Sequence, residues 1–404
     1  MKRLLILLLV FSFSFCLNFG NSEIEISREW HISGIPADNP EIDFTGMLVA
    51  NTSNQKVLRI YAEPPLTIHS EGDEVFVSYT GPADDGITFN ARAVVLVDYD
   101  TDIENDEPLS KEPINGSYLV MWNEDITELS DTLAFPGSTL KTMESVLAWL
   151  NDNLEYDLAY YGLSKSAQDV IIEKRGVCVE YTHLFVSMMN SLGVETRYAG
   201  GYVMADEWQP HSWAEVYVDG QWIAVDPTFN EAGILDTSHV VLSYGNDSSD
   251  LYDKVITYGD SFLASSTEID VINEHEDSKG INVELFFNNE TDTLIVEIEN
   301  TRDEYFFGTY ERAVPEGYGG QERKVVLLEP GENYRESVVF PQDLLMPGFS
   351  YTIPARASFN DASDMENVLI LKEKTGDDSG TCIPAIILSI ILIGIFLSQI
   401  IKNK

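Results

Sequence analysis

Asp219-Gly220 stands between two runs of alternating residues, and a two-residue loop of this kind fixes hairpin register more tightly than other short-range signals. With those residues as the loop, Val218 faces Gln221 and Tyr217 faces Trp222. The count continues to Trp213 opposite Asp226 and His211 opposite Thr228. Successive side chains alternate faces, so His211, Trp213, Glu215 and Tyr217 share one face with Trp222, Ala224, Asp226 and Thr228. His211 and Asp226 become diagonal cross-strand neighbours, a relation long side chains can bridge. One turn thus sets an imidazole beside a carboxylate.

The stretch before the hairpin reads as helix. Ser138 caps a helix with Leu140, Met143, Leu147 and Leu150 on one face, and a short helix is expected near Ser166 to Arg175. Gly176-Val177-Cys178 leads into Val179 to Leu192, where Leu184, Phe185, Met188, Met189 and Leu192 repeat at helical spacing and Gly193 closes the run. Cys178 then sits at a helix N-terminus, where free amides and the dipole favour thiolate and can bind a developing oxyanion. Of the 3 cysteines, Cys16 and Cys382 lie in terminal apolar segments, so Cys178 has no internal disulfide partner. Cys178, His211 and Asp226 make a complete thiol triad of nucleophile, base and orienting carboxylate.

Three blocks, Gly176-Val177-Cys178-Val179-Glu180-Tyr181, His211-Ser212-Trp213-Ala214-Glu215-Val216-Tyr217 and Trp222-Ile223-Ala224-Val225-Asp226-Pro227-Thr228, resemble the signature blocks of the transglutaminase-like superfamily. Asn153-Leu154-Glu155-Tyr156-Asp157 and Leu192 to Tyr198 with Gly200-Gly201-Tyr202 also fit, so the resemblance covers about Leu140 to Asn230. It implies an α+β, papain-like core with Cys178 as nucleophile, His211 as base and Asp226 as orienting residue. Ser212 is the small residue the family commonly carries after the histidine. No motif fixes an oxyanion-hole side chain. The Cys178 backbone amide takes that role, with Trp149, Asn153 and Tyr156 as side-chain candidates. Trp213, Trp222 and Tyr217 read as hairpin packing, Glu180 as a helix-start residue, and Trp208 and Pro210 as cleft wall.

Around this core the expected order is a signal peptide over 1–20, an N-terminal β domain over 22–134 and the transglutaminase-like catalytic domain over 136–260. A C-terminal β-sandwich over 270–372, a polar stalk over 373–381 and a transmembrane helix over 382–401 follow. The N-terminal evidence is Lys2 and Arg3 ahead of an apolar run from Leu4 to Leu17. Cys382 to Ile401 carries no charge and is long enough for about 30 Å of hydrocarbon. Lys402 and Lys404 follow it, which puts the bulk of the chain outside the cell. The opening Cys382-Ile383-Pro384 resembles archaeal surface-protein sorting tails; a retained helix with a cytoplasmic end is the expectation.

A net charge of -43, from 67 acidic and 24 basic side chains, repels phosphate backbones and excludes a nucleic-acid binder. Histidines 31, 69, 183, 211, 239 and 275 lack metal-ligand spacing. Asp98, Asp100, Asp102 and Glu104 alternate like the start of a calcium loop, but Ile103 stands where glycine is needed and Leu109 where glutamate is needed. A solvated acidic loop, no metal and no cofactor are expected. Asn51, Asn115, Asn246 and Asn289 lie in N-x-S/T sequons, which favour surface positions. The expected activity is a cell-surface thiol enzyme acting on peptide or glutamine amides of extracellular polypeptides through an acyl-enzyme. It would serve as a peptidase, an amidase or a protein cross-linker; the alternative is an inactive binding or adhesion scaffold.

Overall fold

A computed structural model describes residues 20–110, 112–114, 116–275, 280–346 and 349–372. Residues 1–19 of the expected signal peptide, the stalk and the expected transmembrane helix lie outside them. Among the described residues no helix is long and apolar enough to cross a membrane.

Alternation builds the first unit. Strands β1 (Asn21–Ser33), β2 (Glu41–Ala50), β3 (Gln55–Ala62), β4 (Thr67–Glu71), β5 (Glu74–Pro82) and β6 (Ile87–Asp98) turn one face inward; β1 buries Ile24, Ile26, Trp30 and Ile32 on alternate positions. Helices α1 (Glu124–Leu133), α2 (Thr139–Asn153), α3 (Ala167–Glu173) and α4 (Cys178–Ser191) follow, with the two-residue strands β7 (Glu155–Tyr156) and β8 (Arg175–Gly176) set between them. Asn123, Ser138 and Ser166 cap the first three helices through their side-chain oxygens. Helix α4 is buried on every side from Glu180 to Ser191, and its polar members Glu180, Thr182 and His183 are met by hydrogen bonds inside.

Strands β9 (Thr196–Met204), β10 (Trp208–Val218), β11 (Gln221–Asp226), β12 (Glu231–Gly233) and β13 (Val240–Gly245) form an antiparallel sheet in the order β12-β11-β10-β9-β13. The β10–β11 ladder runs from Val218 opposite Gln221 to Ala214 opposite Val225, the register that Asp219-Gly220 dictates. Gly201 lets β13 approach β9: a Cβ there would lie 1.9 Å from the Val240 carbonyl oxygen.

Two later strands return to the first unit. β14 (Lys254–Ile256) pairs with β2, and β15 (Phe262–His275) pairs along the whole of β1. The resulting sheets run β15-β1-β6-β3 and β14-β2-β5-β4. A linear division of the chain leaves β14 with the middle segment and cuts through β15. It also leaves α1 with the first unit, whereas Ile126 of α1 packs in the helix core beside α4. Local alternation identifies a strand but carries no address for its partner. The last unit comprises β16 (Ile281–Asn288), β17 (Thr293–Asn300), β18 (Phe306–Ala313), β19 (Gln321–Leu328), β20 (Asn333–Val339), β21 (Phe349–Phe359) and β22 (Ala362–Lys372). Its sheets are β16-β17-β20 and β19-β18-β21-β22, closed over Val296, Tyr310, Phe340 and Phe359.

The middle sheet is covered on both faces. Ala214, Val216, Val218, Ile223 and Val225 meet Leu184, Phe185 and Met188 of α4. The other face sends Ala199, Trp213, Ala224 and Val240 into the core of the first sandwich with Trp30 and Phe44. Each fully buried side chain of this size adds about 1.5–3 kcal/mol by leaving water.

Candidate active site

The bridge of β7 to β8 sets Tyr156 against Gly176 and leads the chain into α4. A Cβ on Gly176 would lie 2.2 Å from that of Glu180, so this entry needs glycine. Glu180 is buried and accepts from the amides of Val177 (3.0 Å) and Lys165 (2.9 Å), the helix-start role expected of it. Cys178 is left partly exposed at the first residue of α4. The Thr182 hydroxyl lies 2.8 Å from the Cys178 carbonyl and 3.2 Å from that of Ser212, which fastens the helix start to β10.

His211 pairs with Gly201 of β9, just beyond the end of the β10–β11 ladder. Its Nε2 lies 2.7 Å from Asp226 Oδ2. Asp226 Oδ1 accepts from the amides of Thr228 (2.7 Å) and Phe229 (3.1 Å), so the turn after β11 holds the carboxylate fixed. Phe229 stacks on the imidazole at 4.8 Å and 20°. With Nε2 taken by Asp226, Nδ1 is the nitrogen left over, and Cys178 lies near enough for the His211 charge to act on its thiol. All three residues singled out from the sequence therefore meet at one place.

The model of the transglutaminase-like superfamily matches residues 127–227. These residues form a transglutaminase-like domain. Uncharacterized protein ML0607 of Mycobacterium leprae is 27% identical over 120 residues, which span 28% of this chain and 42% of that protein. Human kyphoscoliosis peptidase is 28% identical over 123 residues, spanning 27% of this chain and 18% of the peptidase. The chain thus covers less than half the length of either relative. A solved structure of a provisionally assigned cysteine protease from Cytophaga hutchinsonii aligns over 64% of this chain and 93% of its own, at a TM-score of 0.43 and 19% identity.

Electrostatics in the transglutaminase-like domain favour a charged pair. Burial alone would raise the Cys178 thiol, but the hydrogen bond and charge of His211, joined by hydrogen bonds from Ser212, bring it below its ordinary value. Burial opposes charge on His211 too, yet the Asp226 carboxylate beside it pushes its pKa up to about 9. Asp226 is held far below the usual carboxylate range, against its own burial, by His211 and by His239.

His239 is the residue that sequence reasoning missed. It lies on the loop between β12 and β13, where no periodicity marks it, and its Nε2 is 3.0 Å from Asp226 Oδ2. Its Nδ1 is 3.1 Å from the Asp236 carbonyl. Arg323, on β19 of the last sandwich, donates to the Phe229 carbonyl (3.1 Å) and forms an ion pair with buried Glu231. Of the oxyanion-side candidates, half-exposed Tyr156 has its phenol raised chiefly by burial and then by the Cys178 charge. Asn153 instead donates to the Trp149 carbonyl at 2.9 Å. His183 is buried with Nδ1 2.8 Å from the Lys165 carbonyl and Nε2 accepting from the Ser248 amide, and burial lowers its pKa.

Two groupings, His211–Asp226–His239 and Glu231–Asp236–His239, each bring three ligand-type atoms within 4.8 Å. Both ring nitrogens of His239 already face oxygen acceptors, and Nε2 of His211 does too. The imidazoles stand there as donors, with no free lone pair for a cation. Asp100, Asp102 and Glu104 of the acidic loop are exposed, as a solvated loop requires, and Arg302 pairs with two of them, lying 3.1 Å from Asp100 and also binding Asp102. Asn51, Asn246 and Asn289 are exposed, and Asn115 falls outside the described residues.

Proposed function

We propose that this chain is a cell-surface thiol acyl-transfer enzyme that cleaves or exchanges amide bonds of extracellular polypeptides, hydrolysis being its main outcome. The observation that carries the reading is the 2.7 Å bond from Asp226 to His211, whose other nitrogen meets a thiol at the head of α4. Cys178 thiolate attacks the amide carbon and the C–S bond forms as the carbonyl π electrons move to oxygen. The amides at the first turn of α4 have no intrahelical acceptors and support that oxyanion. Collapse breaks the C–N bond, and His211 Nδ1–H gives its proton to the departing amine. Water, losing its proton to His211, then attacks the thioester and frees the thiol. A primary amine in place of water yields cross-linking. In this reading the apolar 382–401 segment tethers the protein, with the described units outside the membrane.

The test uses the full chain with a peptide-amide substrate, a labelled primary amine and a thiol-reactive peptide probe. Hydrolysis with covalent probe on Cys178, absent in Cys178→Ala, is expected. Amine incorporation at comparable yield replaces hydrolysis by cross-linking as the main outcome. Probe reaction no faster than that of a free thiol, with no turnover, overturns the reading. Recovery of a C-terminal peptide containing Asn403 from membrane-extracted protein supports the retained tether, and a chain ending near Cys382 refutes it.

A further inference from the structure

We propose that His239 is a positioning residue: a buried imidazolium that shares the Asp226 carboxylate with His211 and so limits how strongly Asp226 holds the His211 proton. The inference rests on the reading of Cys178, His211 and Asp226 as the reacting groups. It starts from hydrogen-bond chemistry. The Asp236 backbone carbonyl can only accept, so Nδ1 of His239 must carry a proton at 3.1 Å from it. Asp226 Oδ2 is an ionised acceptor, so Nε2 of His239, 3.0 Å away, carries a second. An imidazole with both nitrogens protonated is a cation, and His239 is fully buried.

The surroundings supply its counter-charge. Asp226 approaches from β11, Glu231 from β12, and Asp236 from the same loop at 3.6 Å from Nδ1. Tyr99 donates to the His239 carbonyl at 3.0 Å and sets its ring edge-on to the imidazole, while Trp213 and Phe229 cover the remaining sides. His211 is the other cation facing Asp226, with ring centroids 6.0 Å apart. Glu231 is in turn met by Arg323. These surroundings also push the His239 pKa well above its ordinary value: burial opposes charge, but Asp236 and Asp226 outweigh it.

Both imidazoles use the same oxygen, Oδ2, so they compete for one acceptor. Alone with His211, Asp226 would spend its whole charge on that imidazolium. The thiolate–imidazolium pair would persist to higher pH, and His211 would be a weaker acid toward the departing amine. His239 offsets that pull. It touches no reacting atom and acts through Asp226.

The experiment measures inactivation of the full chain by iodoacetate from pH 4 to 11. An anionic alkylator reads both limbs of the ion pair, since it needs the thiolate and is drawn by the imidazolium. The unmodified chain should give a bell whose falling limb lies near the His211 value of about 9. In His239→Gln, whose amide keeps a donor toward Asp226 without the charge, the falling limb should move to higher pH by about one unit, while the thiol limb, which also loses a nearby cation, should not move down. Asp236→Asn removes a buried negative charge while Asp226 and the backbone carbonyl keep both protons on His239, so it should move the falling limb to lower pH. A wild-type profile with an ordinary thiol limb and no bell overturns the reading of the reacting groups and this inference with it. A normal bell whose falling limb stays put in Asp236→Asn and His239→Gln, or in Asp236→Asn alone if His239→Gln fails to fold, overturns the role of His239 only.

Discussion

The two faces of the middle sheet come from the same strands and differ sharply in chemistry. The face toward α4 is apolar from Ala214 through Val225. The face toward the first sandwich is equally buried, yet it carries Glu215 with Arg197 and Tyr244, and Asp226 with His211 and His239. Arg197 donates to Glu215 at 2.9 and 2.6 Å and lies 3.5 Å over the Tyr244 ring. An apolar face stabilises by area alone and tolerates many side-chain combinations. A buried charged face must satisfy every group at once, and each loss is felt by the group left behind. Stability is spread over the first face, whereas position is specified on the second.

That contrast can be broken most directly at Asp226. Asp226→Asn keeps the shape but removes the charge from His211 and His239; turnover of amide substrate per folded molecule should fall by about 10⁴-fold, with about 3 kcal/mol lost in urea unfolding because two buried imidazoles lose their counter-charge. A loss of turnover matched by general unfolding would erase the distinction between the faces. On the apolar face, Phe185→Ala should cost about 3–5 kcal/mol in urea unfolding without altering thiol reactivity per folded molecule. Back on the charged face, Arg197→Met strands buried Glu215 and should destabilise by about 3 kcal/mol; a well-tolerated change there would show that charge specifies nothing at that site.

A smaller effect is pH dependence. In Cys178→Ala, Asp226 still raises the His211 pKa above its unfolded value near 6.5. A raised pKa means the folded state binds the proton more tightly, so this contribution is complete below about pH 6.5 and is lost as pH rises through the folded value. Unfolding free energy should therefore fall between those limits, and His211→Gln should flatten the decline. The smallest change expected is Ser138→Ala, which removes the cap accepting from Lys141 and should cost about 1 kcal/mol in the same assay.

Much of this was legible in the sequence because its information is local. Asp219-Gly220 sets the β10–β11 register, and Ser138 and Ser166 announce their helices through oxygens that bond amides three residues on. Gly193, at φ 76°, ends α4 in the left-handed region where glycine carries no Cβ penalty. Hairpin parity set His211 beside Asp226, helix phase put Cys178 at a helix start, and the resemblance to the transglutaminase-like superfamily implied that the three share one site. His239 was not found, since a loop histidine acquires meaning only from the carboxylate it meets in space. Arg323 was hidden for the same reason, reaching Glu231 from 92 positions away. β15 was hidden because either edge of a strand can be paired from anywhere in the chain.

The pairing of β15 along β1 also sets an order of events during synthesis. A ribosome delivers β1 first, and its free edge waits while the helices, the thiol and the histidine emerge. Only when residues 262–275 have left the exit tunnel can that sheet close, and only a closed first sandwich fully shields the charged face of the middle sheet from water. A nascent or prematurely terminated chain carries Cys178 and His211 without the completed cover over that face. Late arrival of one strand therefore leaves that face open to water until residues 262–275 of the 404 have emerged.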